Sequence, residues 1–170
     1  DAVDCKKDVF VRSIHVINER NQPRRVTLYA HQVFMISDAA SSDSAQYRPD
    51  MPSIMHYKGR RVFMASLFQD EHFFDDYSIG HYDAATGAGT YRDAEDGTLE
   101  KNTVENGQVD SIFGLVIDIG AYDSVRASYV LVAAQQVSDA ETVFQSVLSQ
   151  GLTHYLTRTA TYWRDWLGRS

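Results

Sequence analysis

One cysteine and three prolines are all that 170 residues contain of either type. Cys5 cannot form an internal disulfide, so the fold must be held by packing alone. No stretch reaches the length of an apolar membrane span, and nothing near Asp1 has the charged-then-apolar order of a signal peptide. The compartment is left open, with the cytoplasm favoured. Positive charge is scarce as well: 16 Lys and Arg against 23 Asp and Glu give a net charge of −7, and no basic cluster exceeds a pair. Nucleic acid is excluded as a partner on that ground, because phosphate binding needs a basic face. What is present is 44% hydrophobic residues, enough for one good core. The start at Asp1, without a methionine, leads to the expectation of a longer parent polypeptide.

Asp8 to Asn18 and Arg24 to Ser37 are rich in β-branched and aromatic residues on both alternating faces, as inside a sandwich. The turn from Asn18 to Pro23 between them predicts a long hairpin. His15 and His31 could then face each other, but no third ligand stands at a recognisable spacing, and ordinary hydrogen-bonded histidines are expected. Asp38 to Asp50 has loop composition and is expected to be disordered. Ser53 to Lys58 and Arg61 to Phe68 flank the turn signal Gly59-Arg60 and predict a second hairpin. Val109 to Ile119 and Ser124 to Ala134 are the most apolar runs and are expected mid-sheet, with Gly114 marking a bulge or a close backbone approach.

At Ser138 the apolar period shifts from two to near 3.6. Ser138-Asp139-Ala140-Glu141 has capping-box spacing, and a helix with Val143, Phe144, Val147 and Leu148 on one stripe ends near Gly151. Leu152 to Leu167 gives a second helix with Tyr155, Tyr162, Trp163 and Trp166 on a broad apolar face, and Arg158, Arg164 and Asp165 opposite. So many rings on one terminal helix call for a covering surface.

Two stretches carry candidate function. Phe73, Phe74, Tyr77, Ile79 and Tyr82 alternate with acids, a pattern that builds either a sugar-stacking surface or the plug at the end of a sandwich. His72 and His81 fall in the same stretch without partners at ligand spacing. Gly89 to Asn102 holds four acids, Arg92, Lys101 and two glycines in fourteen residues with no apolar period, and reads as a long loop that binds a ligand or leans on a neighbour. The alternative is a solvated acidic hairpin in which Arg92 pairs with Asp93, Glu95 or Asp96. These acids share one short loop, so they cannot flank a scissile bond from opposite sides as glycoside hydrolysis requires. Gly97 occupies the third ligand position of a calcium loop. No catalytic residue, metal ligand or cofactor is assigned.

Gly89-Thr90-Tyr91-Arg92-Asp93-Ala94-Glu95-Asp96-Gly97, followed by Asn102, Gly107, Val109-Asp110-Ser111 and Gly114-Leu115, resembles a block in the N-terminal domain of prokaryotic glucoamylase-type enzymes of glycoside hydrolase family 15. Asp8 to Arg12, His56 to Arg61 and Arg158 to Leu167 resemble the same domain in the same order. Tyr91 stands where a tryptophan is expected. The resemblance implies an antiparallel β-sandwich over residues 1–137, incomplete on its N-terminal side. It further implies a helical linker over 138–170 leading to an (α/α)6 barrel that hydrolyses α-glucosidic bonds with inversion. The barrel's two glutamates have no counterpart here, so the implied role is non-catalytic. Arg92, Asp93, Glu95, Asp96 and Asn102 are expected at the domain interface or substrate site, and Tyr155, Tyr162, Trp163 and Trp166 against the barrel. The implied partners are that barrel and, through the whole protein, an α-glucan or oligosaccharide; the isolated chain is expected to self-associate. The alternative is a free-standing carbohydrate-binding or protein-interaction module using the Phe73 to Tyr82 aromatics.

Overall fold

A strand that is apolar on both alternating faces must be covered on both sides. The computed structural model, which describes residues 1–38 and 42–168, achieves this with three layers. In chain order the elements are β1 (Ala2–Val3), β2 (Val9–Ile17), β3 (Arg24–Val33), β4 (Asp43–Arg48), β5 (Ser53–Lys58), β6 (Arg61–Gln69), β7 (His72–Phe73) and β8 (Asp76–His81), followed by β9 (Val104–Gly107), β10 (Val109–Ile119), β11 (Ser124–Ala134), α1 (Val137–Gln150) and α2 (Leu152–Leu167). The large sheet runs β1-β2-β11-β6-β5-β4-β9, with β7 beside β6, and the small sheet runs β3-β10-β8. All pairings are antiparallel. The fold is thus a mainly β, antiparallel sandwich with a C-terminal helical segment. Among the described residues, no helix is long and apolar enough to cross a membrane.

Between the sheets, Ile54, Ala65 and Leu67 of the large sheet pack with Ile79, Phe113, Leu115 and Ile117 of the small one. On the other side of the large sheet, Met55, Met64, Phe68, Val130 and Val132 meet Ala140, Phe144 and Val147 of α1 and Tyr155 of α2. β6 serves both layers, which explains why it is buried almost throughout. The helices therefore close a core rather than trail from one. Arg158, placed by sequence on the polar face of α2, ties that helix to the N-terminal segment: its Nε donates to Asp4 Oδ1 at 2.8 Å and its guanidinium lies 4.9 Å from the Tyr155 ring centroid. Burial by itself raises the Asp4 carboxyl, but hydrogen bonds from Arg158 and from the Lys6 and Lys7 N–H groups outweigh it and hold the group below its ordinary value.

Three expectations are corrected, and one pair of alternatives is resolved. The β2–β3 hairpin does not form: β2 pairs with β11 in the large sheet and β3 with β10 in the small one, so Asn18 to Pro23 is a crossover. The buried Asn18 holds it, donating from Nδ2 to the Gln22 and Gly120 carbonyls at 2.8 Å each. Accordingly, His15 and His31 lie in different sheets. The loop over Asp38 to Asp50 is interrupted by β4; the part at 39–41 lies outside the described residues. Asp43, 1% exposed, accepts from Ile36 N and pairs with Lys58 Nζ at 3.1 Å, so tertiary contacts override the polar composition. The capping box is absent, because α1 starts at Val137 with Gln136, not Ser138, at its N-cap and has no side-chain cap, while Glu141 pairs with Arg48 at 2.7 Å. Gly114 marks no bulge, since its register is continuous on both sides; it makes room for the Tyr29 ring, which an added Cβ would meet at 3.2 Å.

A buried polar seam joins the sheets. Ser111 Oγ donates to Gln32 Oε1 at 2.7 Å and therefore accepts from His56 Nε2 at 2.8 Å, which leaves Nδ1 as the unprotonated, unpartnered ring nitrogen. Protonating Nδ1 would bury an N–H with no acceptor. Burial lowers the His56 pKa to about 4, with Asp110 opposing and His31 adding to the shift. Burial likewise pushes the Tyr129 phenol up to about 12.

Two outcomes are expected. Phe144→Ala removes a fully buried ring and lowers stability by about 3–5 kcal/mol, read from the denaturant midpoint. Because the unfolded chain binds a proton at His56 near pH 6.5 and the folded chain only near 4, stability is unpenalised above 6.5 and falls as pH drops between these values. The loss totals roughly 3 kcal/mol, and urea titrations of His56→Asn across this range should show a shallower slope.

Candidate functional site

Alternation along β10 sends Phe113, Leu115 and Ile117 into the sandwich and Asp110, Ile112 and Gly114 to the outer face of the small sheet. That outer face would be open to water, yet Asp110 is 0% exposed and Ile112 1%. The cover is the segment from Asp83 to Thr103, and Asp110 is what holds its first half down. Asp110 Oδ2 accepts the backbone N–H of Thr90 at 2.7 Å and a hydrogen bond from His31 Nε2 at 2.8 Å. Oδ1 is buried without a partner, so the two bonds to Oδ2 alone offset the removal of this carboxylate from water.

Small residues permit the approach. An added Cβ at Gly80 would lie 2.7 Å from Thr90 Cγ2, and one at Gly89 would collide with Asp110 Oδ2. From Gly89 the chain enters a short 3-10 helical stretch, Thr90–Glu95. The Tyr91 ring packs edge-on to His31 at 5.4 Å between centroids, and its hydroxyl donates to the Gly87 carbonyl. Upstream, hydrogen bonds from Thr86 and Ala85 hold the Asp83 carboxyl below its ordinary value and fix the turn. The second half is anchored by Leu99, 3% exposed among acids, and by Lys101 N donating to the Tyr77 carbonyl at 3.0 Å.

The anchors set which candidate residues meet. Arg92, Asp93 and Asn102 come together around a groove of about 320 Å³ that also includes Ser78, Thr90, Glu100 and Glu105. Glu95 and Asp96 are exposed and lie outside it; Asp96 Oδ1 accepts from Thr98 N in a local turn. Arg92 does not pair with Asp93, Glu95 or Asp96 as the hairpin alternative required. The Tyr91 hydroxyl beside it holds its guanidinium above the ordinary value. Among the described residues no group of three His, Cys, Asp or Glu could hold a metal ion.

The α2 candidates divide. Tyr155 is fully buried in the helix-side core, whereas Tyr162, Trp163, Trp166 and Leu167 are about half exposed, with the two indoles edge-on at 5.8 Å. Trp163 and Tyr162 also border a second groove of about 830 Å³ between α2 and the Asp1 to Cys5 segment. In the aromatic stretch, Phe73 contacts Phe68, Phe74 contacts Phe113 at 4.5 Å, and Tyr77 stacks on Tyr47 at 4.1 Å. These rings plug the sandwich rather than line an open platform.

The sequence assigned no anchoring role to Asp110, Thr90 or Leu99, and read His31 only beside His15 as an ordinary hydrogen-bonded histidine. A carboxylate at the start of a largely apolar strand was the available signal for Asp110, and a lone leucine among acids the signal for Leu99.

No family model matches the chain, and no curated protein does. Among solved structures, the fold is shared with a bacterial glucoamylase crystallised with acarbose, at a TM-score of 0.66 and 13% identity over 82% of this chain. The chain spans about a fifth of that protein's length, the covered share being 20%. At this identity the likeness is one of fold alone.

Gly89→Ala is expected to lift the Asp83 to Thr103 cover while sparing the sheets, at a cost of roughly 1–3 kcal/mol. Amide exchange checks this, since protection should fall at Thr90 and Lys101 and hold in β6 and β11; uniform loss across the sandwich would contradict it.

Proposed function

We propose that this chain is a non-catalytic, N-terminal sandwich domain of a glucoamylase-like α-glycosidase. The observation that carries this reading is the shared fold with the bacterial glucoamylase, most of whose length has no counterpart here. In this reading residues 1–137 form the sandwich and 138–170 lead to a catalytic (α/α)6 barrel. The barrel covers Tyr162, Trp163 and Trp166, and the segment bearing Arg92, Asp93, Glu95, Asp96 and Asn102 faces it and helps wall its sugar site. The half-exposed rings at the end of α2 support a covering partner, since each aromatic side chain offers on the order of 150–250 Å² and a few together reach the size of a partner patch. The free-standing module has less support, because Phe73, Phe74 and Tyr77, which it needs, are packed against Phe68, Phe113 and Tyr47.

Assayed alone, the chain should release no glucose from maltose or soluble starch. Turnover that persists through purification and disappears in Glu95→Gln would overturn the reading. The isolated chain should also self-associate through α2, and sedimentation should show a monomer once Trp163→Glu and Trp166→Glu are combined or a downstream barrel is attached. A strictly monomeric unmodified chain with both indoles shielded from quencher would count against a barrel-facing surface.

A further inference from the structure

The groove around Arg92 follows the free edge of β8. Tyr77 turns its carbonyl away from β10 to accept from Lys101 N, so by strand alternation Ile79 and His81 also present their N–H and C=O groups on that side. Residues 78–81 line the groove together with Ala88 to Thr90, Arg92, Asp93, Glu100, Asn102 and Glu105. Two side chains in this lining, Ser78 at 1% and Thr90 at 5% exposure, have hydroxyls with no hydrogen-bond partner. Buried hydroxyls are ordinarily partnered, and one left alone costs about 1–3 kcal/mol.

The lining selects a ligand class. One guanidinium against three carboxylates disfavours an anion. The carboxylates do not converge with other ligands on a point where a metal could sit, among the described residues. What suits the mixture is a neutral molecule whose every polar group both donates and accepts: hydroxyls can give to Asp93, Glu100 and Glu105 and receive from Arg92, Asn102 and the strand-edge amides. At about 320 Å³ the groove is at the small end of ligand sites. We propose that this groove is a binding site, on the sandwich itself and independent of any barrel, for a neutral polyhydroxylated ligand, one or two sugar units in size.

The test is a titration of the isolated chain with maltose, followed by amide chemical shifts, with glycerol, calcium chloride and inorganic phosphate as separate arms. Saturable shifts confined to residues 78–81, 88–93 and 100–105 are expected, with a dissociation constant in the millimolar range because no Phe, Tyr or Trp lines the groove. Arg92→Ala should weaken binding about tenfold. Ser78→Ala should weaken it while leaving the thermal midpoint unchanged or raised, since the hydroxyl it removes has no partner in the fold. Absence of saturable shifts with maltose, equal shifts with glycerol, saturation by calcium or phosphate instead, or full binding by both variants would each overturn the site. None of these outcomes bears on whether a barrel follows, which the activity and sedimentation experiments decide separately.

Discussion

A carboxylate removed from water must be given hydrogen bonds, and Asp110 organises one side of this molecule through that requirement. Its single oxygen Oδ2 gathers His31 from β3 and the Thr90 amide from the covering segment, while its backbone sits in the central strand of the small sheet. Three parts of the chain separated by up to 79 residues are thereby fixed to one point. The glycines at 80 and 89 belong to the same constraint, since only hydrogen side chains leave room for the meeting. Everything that faces solvent from this segment, Arg92 and Asn102 included, takes its position from a contact that does not.

The helical side depends on burial of a different kind. Phe144, Val147 and Tyr155 give the large sheet an apolar cover, and Arg158 pulls the N-terminal segment onto α2 through Asp4. This cover stops partway along α2. The same helix therefore changes character over about two turns, from fully buried at Tyr155 to half exposed at Trp163 and Trp166, with no break in its geometry.

Local pattern was sufficient where one rule governed a segment. The β5–β6 hairpin, the spans of β10 and β11 and the extent of α2 were all legible in alternation, turn residues and helical period. The failures share a cause, namely that partners distant in sequence decided the outcome. Asn18 to Pro23 has ordinary turn chemistry, and nothing in it says that Gly120 will take the Asn18 amide and send the two strands to different sheets. Asp43 and Ser44 read as loop until Lys58 and Asn106 are beside them. Glu141 was spaced for a cap but was claimed by Arg48, more than ninety residues earlier. In the candidate site, the loop composition of 89–102 was legible, whereas the anchors Asp110, His31 and Leu99 became visible only with the sheet beneath them.

The crossover that replaces the expected hairpin bears on how the protein is made. β2 finds its main partner in β11, whose register joins Ile17 to Ser124 and Val9 to Val132. On a ribosome, β2 must wait for this partner until more than a hundred further residues have been synthesised. β3 waits nearly as long for β10. Closing such long loops before any contact rewards them makes for slow, late folding. The nascent chain thus exposes two sticky strands through most of its synthesis, while the β4–β5–β6 meander, whose pairings are local, can form early as a template for the large sheet.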